Sequence, residues 1–435
     1  MTLVFEKKES KLEYWFTILA LLSLSGALLP LFGEQRLARD SDVNTGRMLT
    51  NTAIFLAASG IALYRWGVTS VLLSRNLLVA ALFLLPLASM VWSADPDVTF
   101  RRATAHLLTG FFCIYIAGRM TPEELMRRLM LAFLIGGVAS IAYIGIGMGV
   151  HVGGSLGGAW KGVYGQKNEL GRIASLAIIV SLFVTPTNAR ERLMRLATIG
   201  IFAIMVIMCQ SRTNWLTLAV MLAVIPLTNF LRDRRVAPSL RLGLVVTAVV
   251  TLVLGVAVGA PMILAASGRD MTFSGRQTLW HGVNSIIAAK YQYLGAGYGA
   301  FFTENGASYM VKPYIAHWRG VPSHAHNGVI NTRADMGIPG LIVLAIFVIG
   351  LGSRLLHKMM TDGNRKAWPM FGAVFVLFLI NNFSESVAFR HSDIAWILVL
   401  IAYLYAADPL KAARRVPVVR FAPRVGPQPV FRRDP

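Results

Sequence analysis

Cysteine is nearly missing from this chain. Its 435 residues hold two, Cys113 and Cys209, and both lie inside apolar runs. That excludes a disulfide framework and a thiolate metal site. Acidic residues are half as numerous as basic ones, 21 Asp and Glu against 42 Lys and Arg, giving a formal charge of +21. In a chain this apolar, the surplus is better explained by Lys and Arg kept in cytoplasmic loops than by nucleic-acid binding. No P-loop, HExxH or GxSxG motif occurs, and no clustered His, Cys and carboxylate set with metal-binding spacing is found along the sequence. Asp95 and Asp97 form a lone Asp-x-Asp, which by itself is weak evidence for a metal-dependent glycosyltransferase. No internal repeat of fixed period is seen, so the sequence offers no sign of a repeat-built transporter.

Long apolar runs are what the chain does have. Hydrophobic residues make up 55%, and the mean hydropathy is +0.58. The excess gathers into stretches of about 17–25 residues, the length of a bilayer-crossing helix. Twelve spans are expected, near 15–32, 50–65, 76–92, 103–118, 128–148, 169–185, 195–210, 213–231, 242–265, 337–356, 367–383 and 392–407. The fold class is therefore all-α, a polytopic membrane protein. The segment MTLVFEKKESK has no small-residue cleavage site and reads as the start of an uncleaved first helix. Basic clusters at Arg190/Arg192/Arg195, Arg232/Arg234/Arg235/Arg241 and Arg354/Lys358/Arg365/Lys366 place the even-numbered loops and both termini in the cytoplasm. The expected organisation is helices 1–9 over 1–266, one large outward loop over 267–336, helices 10–12 over 337–407, and a basic, disordered cytoplasmic tail over 408–435. A smaller outward loop runs from Gly149 to Asn168.

Polar outliers collect on the outward side. Arg212 stands in a short turn between two spans, where an arginine is either an interfacial anchor or a fixed cation at the membrane surface. Arg276 opens a stretch from Gln277 to Ala289 with Leu279, Val283, Ile286 and Ile287 at helical spacing. Lys167 and Arg172 lie at the outer end of the sixth span, as interfacial anchors or as anion ligands. The segment Ser323 to Gly340, SHAHNGVINTRADMGIPG, holds His324, His326 and Asn327 before an apolar run that begins at Gly337. A loop histidine is usually structural or solvated, yet it is also a natural general base near neutral pH. Glu385 and Arg390 form a last polar group in the outward loop SESVAFRH.

Taken in order, these pieces resemble the O-antigen ligase/polymerase superfamily of bacterial envelope enzymes. The matching pieces are SRT at 211–213, GRQTLW at 275–280, GAGYGAF at 295–301 and HAHNGVINTRADMGIPG at 324–340. WSADPDVTFRR at 92–102 and YGQKNELGR at 164–172 look closest to its exopolysaccharide-polymerase branch, the ExoQ type. Gln166 departs from the histidine expected before the Lys-Asn pair in many relatives. The resemblance implies a membrane glycosyltransferase of the C-type group. It would move a glycan from an undecaprenyl-diphosphate carrier to an acceptor, either a lipid-linked repeat (polymerase) or lipid A-core (ligase), at the periplasmic face. It implies inversion at the sugar, no cofactor and no metal. Membrane lipids are partners, a chain-length regulator is left open as a further one, and nucleic acid is not among them. His326 is then the general base, and Arg212 and Arg276 hold the diphosphate, since arginine grips phosphate oxygens in a fixed fork. Lys167 and Arg172 are weaker diphosphate candidates, with His324, Asn327, Glu385 and Arg390 as accessory residues. A transporter or flippase of lipid-linked glycan is the alternative from another class. It would place charges deep in the spans, where this sequence has few.

Overall fold

A computed structural model describes residues 10–32, 45–153, 157–244, 276–315 and 322–407, apart from 234, 238, 242, 363 and 365. Helices dominate and, among the described residues, no strand forms; one isolated bridge joins Val150 and Trp160. The helices are α1 (Lys11–Leu24), α2 (Thr45–Tyr64), α3 (Trp66–Ser74), α4 (Leu77–Ala88), α5 (Pro96–Arg119), α6 (Pro122–Gly145) and α7 (Lys167–Phe183). They continue as α8 (Ala189–Met208), α9 (Arg212–Leu231), α10 (Arg276–Lys290), α11 (Ser308–Val311), α12 (Gly328–Thr361), α13 (Ala367–Ser384) and α14 (Ile394–Ala406).

Local sequence sets many of the starts. Thr121 and Glu124 cap α6 reciprocally with Pro122 at its first position, Asp95 caps α5 ahead of Pro96, and Asp393 caps α14. Each cap satisfies amide groups that would otherwise lack partners, at about 1 kcal/mol apiece. The capping role of Asp95, together with a hydrogen bond from Asn305 to its other oxygen, accounts for half of the Asp-x-Asp without a metal.

Eleven of the twelve expected spans fall on helices; the ninth, from residue 245 onward, lies outside the described residues, as does the 408–435 tail. Among the described residues, four helices are long and apolar enough on their own to cross a membrane: α6, α9, α12 and α13. α2 and α3, bent by 94° at their junction, make a fifth if taken as one span. The chain is thus a membrane protein with several apolar helices, and the count of twelve exceeds what helix length alone supports. The shortfall has a physical source. α14 has only 13 residues, and every one is buried against its neighbours in the bundle. α7 has 17 residues and opens on Lys167, Glu169 and Arg172, and α5 carries Arg101 and Arg102 in its second turn.

α12 starts earlier than expected. The apolar run begins at Gly337, but the helix begins at Gly328, so most of the polar segment is helical. Gly337 breaks it, with φ 60 and ψ −148. The Ile338 amide leaves the helical ladder to donate to Tyr293 O at 2.8 Å, and a Cβ at 337 would meet that oxygen at 2.1 Å. Only glycine fits there. Two further bonds, Ala296 N–H to Ala334 O and Gly297 N–H to Asp335 O, both 2.8 Å, dock the glycine-rich 295–299 turn on this break.

The buried apolar residues form two clusters. The larger runs through the helix bundle and centres on Trp396, Phe347, Phe371 and Phe378. The smaller joins Leu279, Val283, Ile286 and Ile287 of α10 to Phe301, Phe302, Val311 and Ile315, as the helical spacing of α10 predicts. Contacts sort the helix ends into two sets. Arg232 bonds Met359 O, Arg119 pairs with Glu13, and Tyr405 bonds Met120 O at one end. The opposite end gathers the starts of α5, α7, α9, α12 and α14 with the end of α13, and every candidate site residue is there.

Candidate active site

Two motifs meet where α7 and α9 begin. Ser211 Oγ donates to Asn168 Oδ1 and Asn214 Nδ2 donates to Asn168 O, both at 3.0 Å. Gly171 lets the helices close, since a Cβ there would lie 2.3 Å from Asn214 Nδ2. Neither Gln166 nor Ser211 caps its helix with its side chain. Lys167 and Arg212 therefore stand at the first positions of two adjacent helices whose terminal amides lack side-chain caps, and Arg212 is exposed. Such helix starts attract anions through aligned N–H groups and the helix dipole.

Arg172 has a different environment. Its guanidinium bonds Asp393 at 2.8 Å and Glu169 at 2.6 Å, tying α7 to the cap of α14. Both terminal nitrogens are committed to carboxylates, and Nε is buried without a hydrogen bond. That occupancy counts against the expected diphosphate contact. Sequence reading missed Asp393 as its partner, although a buried-end arginine needs a counter-charge and an aspartate preceding an apolar run announces a helix cap.

The third group brings three distant segments together. His326 Nδ1 lies 2.9 Å from Glu385 Oε2, while Arg276 donates to Glu385 Oε1 at 3.0 Å and to Ser384 O at 2.6 Å. Glu385 thus sits between a histidine and an arginine. Burial alone would raise its pKa, but the His326 hydrogen bond and the nearness of His326 and Arg276 outweigh it and hold the carboxyl down at about 2. With a carboxylate on Nδ1, the neutral imidazole keeps its proton there and its lone pair on Nε2, a tautomer assigned from the network. His326 itself has φ 49, a left-handed backbone that costs a non-glycine residue on the order of 1 kcal/mol. The surroundings fix that turn: Trp280 Nε1 donates to Ala325 O at 2.9 Å, and Asn327 caps α12 while reaching Phe383 O at 3.2 Å. His324 packs edge-on to His326, ring centroids 4.1 Å apart. Burial, then His326 and Arg390, hold His324 down at about 3.

Two of these three segments, those of Arg276 and His326, fall in one matched stretch. Residues 197–345 match the O-antigen ligase family. Over 307 residues the chain is also 28% identical to the exopolysaccharide production protein ExoQ of Rhizobium meliloti (strain 1021), a match that spans 67% of this chain and 68% of the relative. The matched segment holds Arg212, Arg276, His324, His326 and Asn327; Lys167, Arg172, Glu385 and Arg390 lie outside it.

One reading needs correction. The sequence showed no His, Cys and carboxylate set, yet the fold assembles one: His324, His326 and Glu385 each offer a ligand atom within 4.8 Å of the others. Glu385 is 59 residues from His326, which is why spacing concealed it. The Arg276 guanidinium on Glu385 competes with any cation for that carboxylate. The remaining accessory residue, Arg390, is exposed five residues beyond Glu385. Its loop is pinned by Tyr298, whose hydroxyl donates to Phe389 O. Phe389 has φ 60 and packs at a tilt against Trp396 and His106, which sits among Phe83, Tyr298, Phe389 and Trp396. Arg102 donates to Gly299 O at 2.6 Å and closes the other side of the turn.

Proposed function

We propose that this protein is a bacterial envelope polysaccharide polymerase. It transfers a glycan from an undecaprenyl-diphosphate carrier to a hydroxyl of an acceptor glycan, at the periplasmic face of the inner membrane. The observation that carries this reading is the Arg276–Glu385–His326 group. It unites a histidine oriented by a carboxylate with a fixed cation, at the same end of the bundle as Arg212 and Lys167. The similarity to an exopolysaccharide production protein supports a polymer product.

The reaction follows from the residues. The acceptor O–H attacks the anomeric carbon of the donor glycan, and His326 Nε2 takes its proton. The bond from that carbon to the phosphate oxygen breaks, and the electron pair leaves with the lipid diphosphate. Direct displacement inverts the anomeric centre and needs no covalent intermediate. Glu385 stabilises the imidazolium that forms, as a carboxylate does for a histidine base in acyl transfer. Arg276 and Arg212, with Lys167 and the two helix starts, receive the growing charge on the leaving group. No metal is required by this scheme, because fixed cations neutralise the diphosphate. Arg172 is left out of the diphosphate set, because two carboxylates, Asp393 and Glu169, offset its charge, whereas Arg276 meets only one.

The test is the glycan output of a strain lacking the gene and carrying the wild type or His326→Ala at matched membrane level. Accumulation of single lipid-linked repeats in the variant supports a polymerase. Accumulation of long lipid-linked polymer, unattached to lipid A-core, indicates a ligase. Repeats confined to the cytoplasmic leaflet would indicate a flippase and end the present reading.

A further inference from the structure

The turn that carries His326 has a second support, which the transfer scheme leaves unused. His326 sits in a left-handed backbone, φ 49, which a non-glycine residue keeps only when its surroundings impose it. Trp280 Nε1 holds the carbonyl of Ala325, and the His326 amide donates to His324 Nδ1 at 3.2 Å. The Ala325 amide donates to Asn331 Oδ1 at 3.0 Å. Asn331 lies in the first turn of α12. Its Nδ2 donates to Asp335 Oδ2 at 2.9 Å, one turn further on. Two hydrogen bonds in series therefore join the turn of the base to a buried carboxyl. That carboxyl stands on a fixed backbone. Gly297 N–H donates to Asp335 O at 2.8 Å, and a Cβ on Gly295 would lie 2.6 Å from Asp335 C. The glycine-rich turn thus braces Asp335 from behind.

An Asn–Asp pair four residues apart supports a helix weakly, and on an exposed face it would cost nothing to keep. Here the pair is not on such a face. Asp335 is 5% exposed, and its Oδ1 is buried without a hydrogen bond among the described residues. A buried carboxyl with an unmet oxygen is costly. What an acid supplies at this place is direction. An asparagine amide can present its oxygen or its nitrogen to either side. Asp335 Oδ2 accepts whether or not Oδ1 carries a proton, so Asn331 turns its nitrogen to Asp335 and leaves its oxygen for the Ala325 amide. We propose that Asn331 and Asp335 are positioning residues for the base. Asp335 sets the direction of the Asn331 amide, Asn331 holds the Ala325 peptide, and the turn so fixed aims His326 Nε2 at the acceptor hydroxyl. Neither residue touches substrate. This inference rests on His326 being the general base.

The experiment measures transfer by the full-length protein in detergent, with donor saturating and acceptor varied. Asn331→Ala should lower kcat by about 10–100-fold and leave the acceptor KM within about threefold, since a base displaced by about 1 Å loses rate without losing substrate. Asp335→Ala, which frees the Asn331 amide to turn, should lose about tenfold. Asp335→Asn can still offer Asn331 an oxygen and should keep most of the rate. In a His326→Ala background, Asn331→Ala should cost nothing more, because no base is left to position. A spectroscopic readout stands apart from the reaction. In the ¹⁵N spectrum of histidine-labelled protein, assigned with His326→Ala, the wild type should give one sharp His326 Nε2 signal, and Asn331→Ala should broaden or split it. Wild-type kcat in Asn331→Ala, an unaltered His326 signal, or a further loss in the His326→Ala background overturns the positioning role. If His326→Ala itself transfers at the wild-type rate while Asn331→Ala still alters the His326 signal, the base reading fails and the support of the turn by Asn331 survives.

Discussion

Two arginine–carboxylate groups sit at the same end of this bundle and do opposite things with the same ingredients. Around Arg172, one cation meets two carboxylates, and the side chains of Arg172 and Asp393 are 12% and 2% exposed. Around Glu385, one carboxylate meets an arginine and a histidine, and Arg276, Glu385 and His326 are 23%, 31% and 26% exposed. The first group is closed at its Arg172–Asp393 pair, with only Glu169 reaching solvent at 36% exposed, and it joins α7 to α14. The second is half open, and its histidine can exchange a proton with a bound substrate. Stoichiometry and exposure, more than residue type, separate a structural ion pair from a chemical one.

That contrast breaks most sharply at the histidine. His326→Ala should lower glycan transfer by about 10²–10⁴-fold, the usual worth of a general base, with the melting temperature unchanged. The rate and the thermal unfolding of the purified variant check both halves. Arg172→Met should do the reverse. It strands Asp393 and costs about 3–5 kcal/mol of stability, so folded protein is lost from the membrane. If Arg172→Met folds normally and transfers poorly, the closed group is chemical after all.

Smaller effects sharpen the comparison. Glu385→Gln keeps the hydrogen bond to His326 but removes the charge that favours the protonated ring. Turnover should fall by about tenfold. A wild-type rate in this variant would mean that Glu385 does not act through His326. The smallest effect concerns His324, held down at about 3 against an ordinary value of 6.5. Between those values the unfolded chain binds a proton that the folded chain does not, so stability falls as pH drops through that window. Glu385 contributes nothing to the pH dependence above its ordinary 4.5, because in the fold it stays ionised down to about 2. The melting temperature should therefore drop by roughly 1–3 °C between pH 7 and pH 5, and by less in His324→Asn.

Much of this was written locally in the chain. Apolar runs located the helices, and the spacing of Leu279, Val283, Ile286 and Ile287 gave α10 its buried face. His326, Arg276, Arg212 and Glu385 stood out because polar residues beside membrane spans are few. Pairings were hidden, since they depend on chain folding: His326 with Glu385 across 59 residues, Arg172 with Asp393 across 221. The start of α12 at Gly328 was hidden too. Its first turns are polar, and what makes them helical is the Asn327 cap and the packing of Ala334 against the α10 cluster. The apolar run at 392–407 was legible, but not that all 13 residues of α14 are buried among neighbouring helices.

The central claim is that the half-open group performs the transfer. The most direct measurement is single-turnover transfer by purified protein from a lipid-diphosphate glycan donor to a lipid-linked acceptor in the presence of EDTA, comparing the wild type with His326→Ala and Arg276→Gln. The account predicts full wild-type turnover without free metal, and a loss of at least a hundredfold in each variant while both remain folded. Wild-type rates in either folded variant, or a wild type silenced by EDTA and restored by a divalent cation, would contradict it.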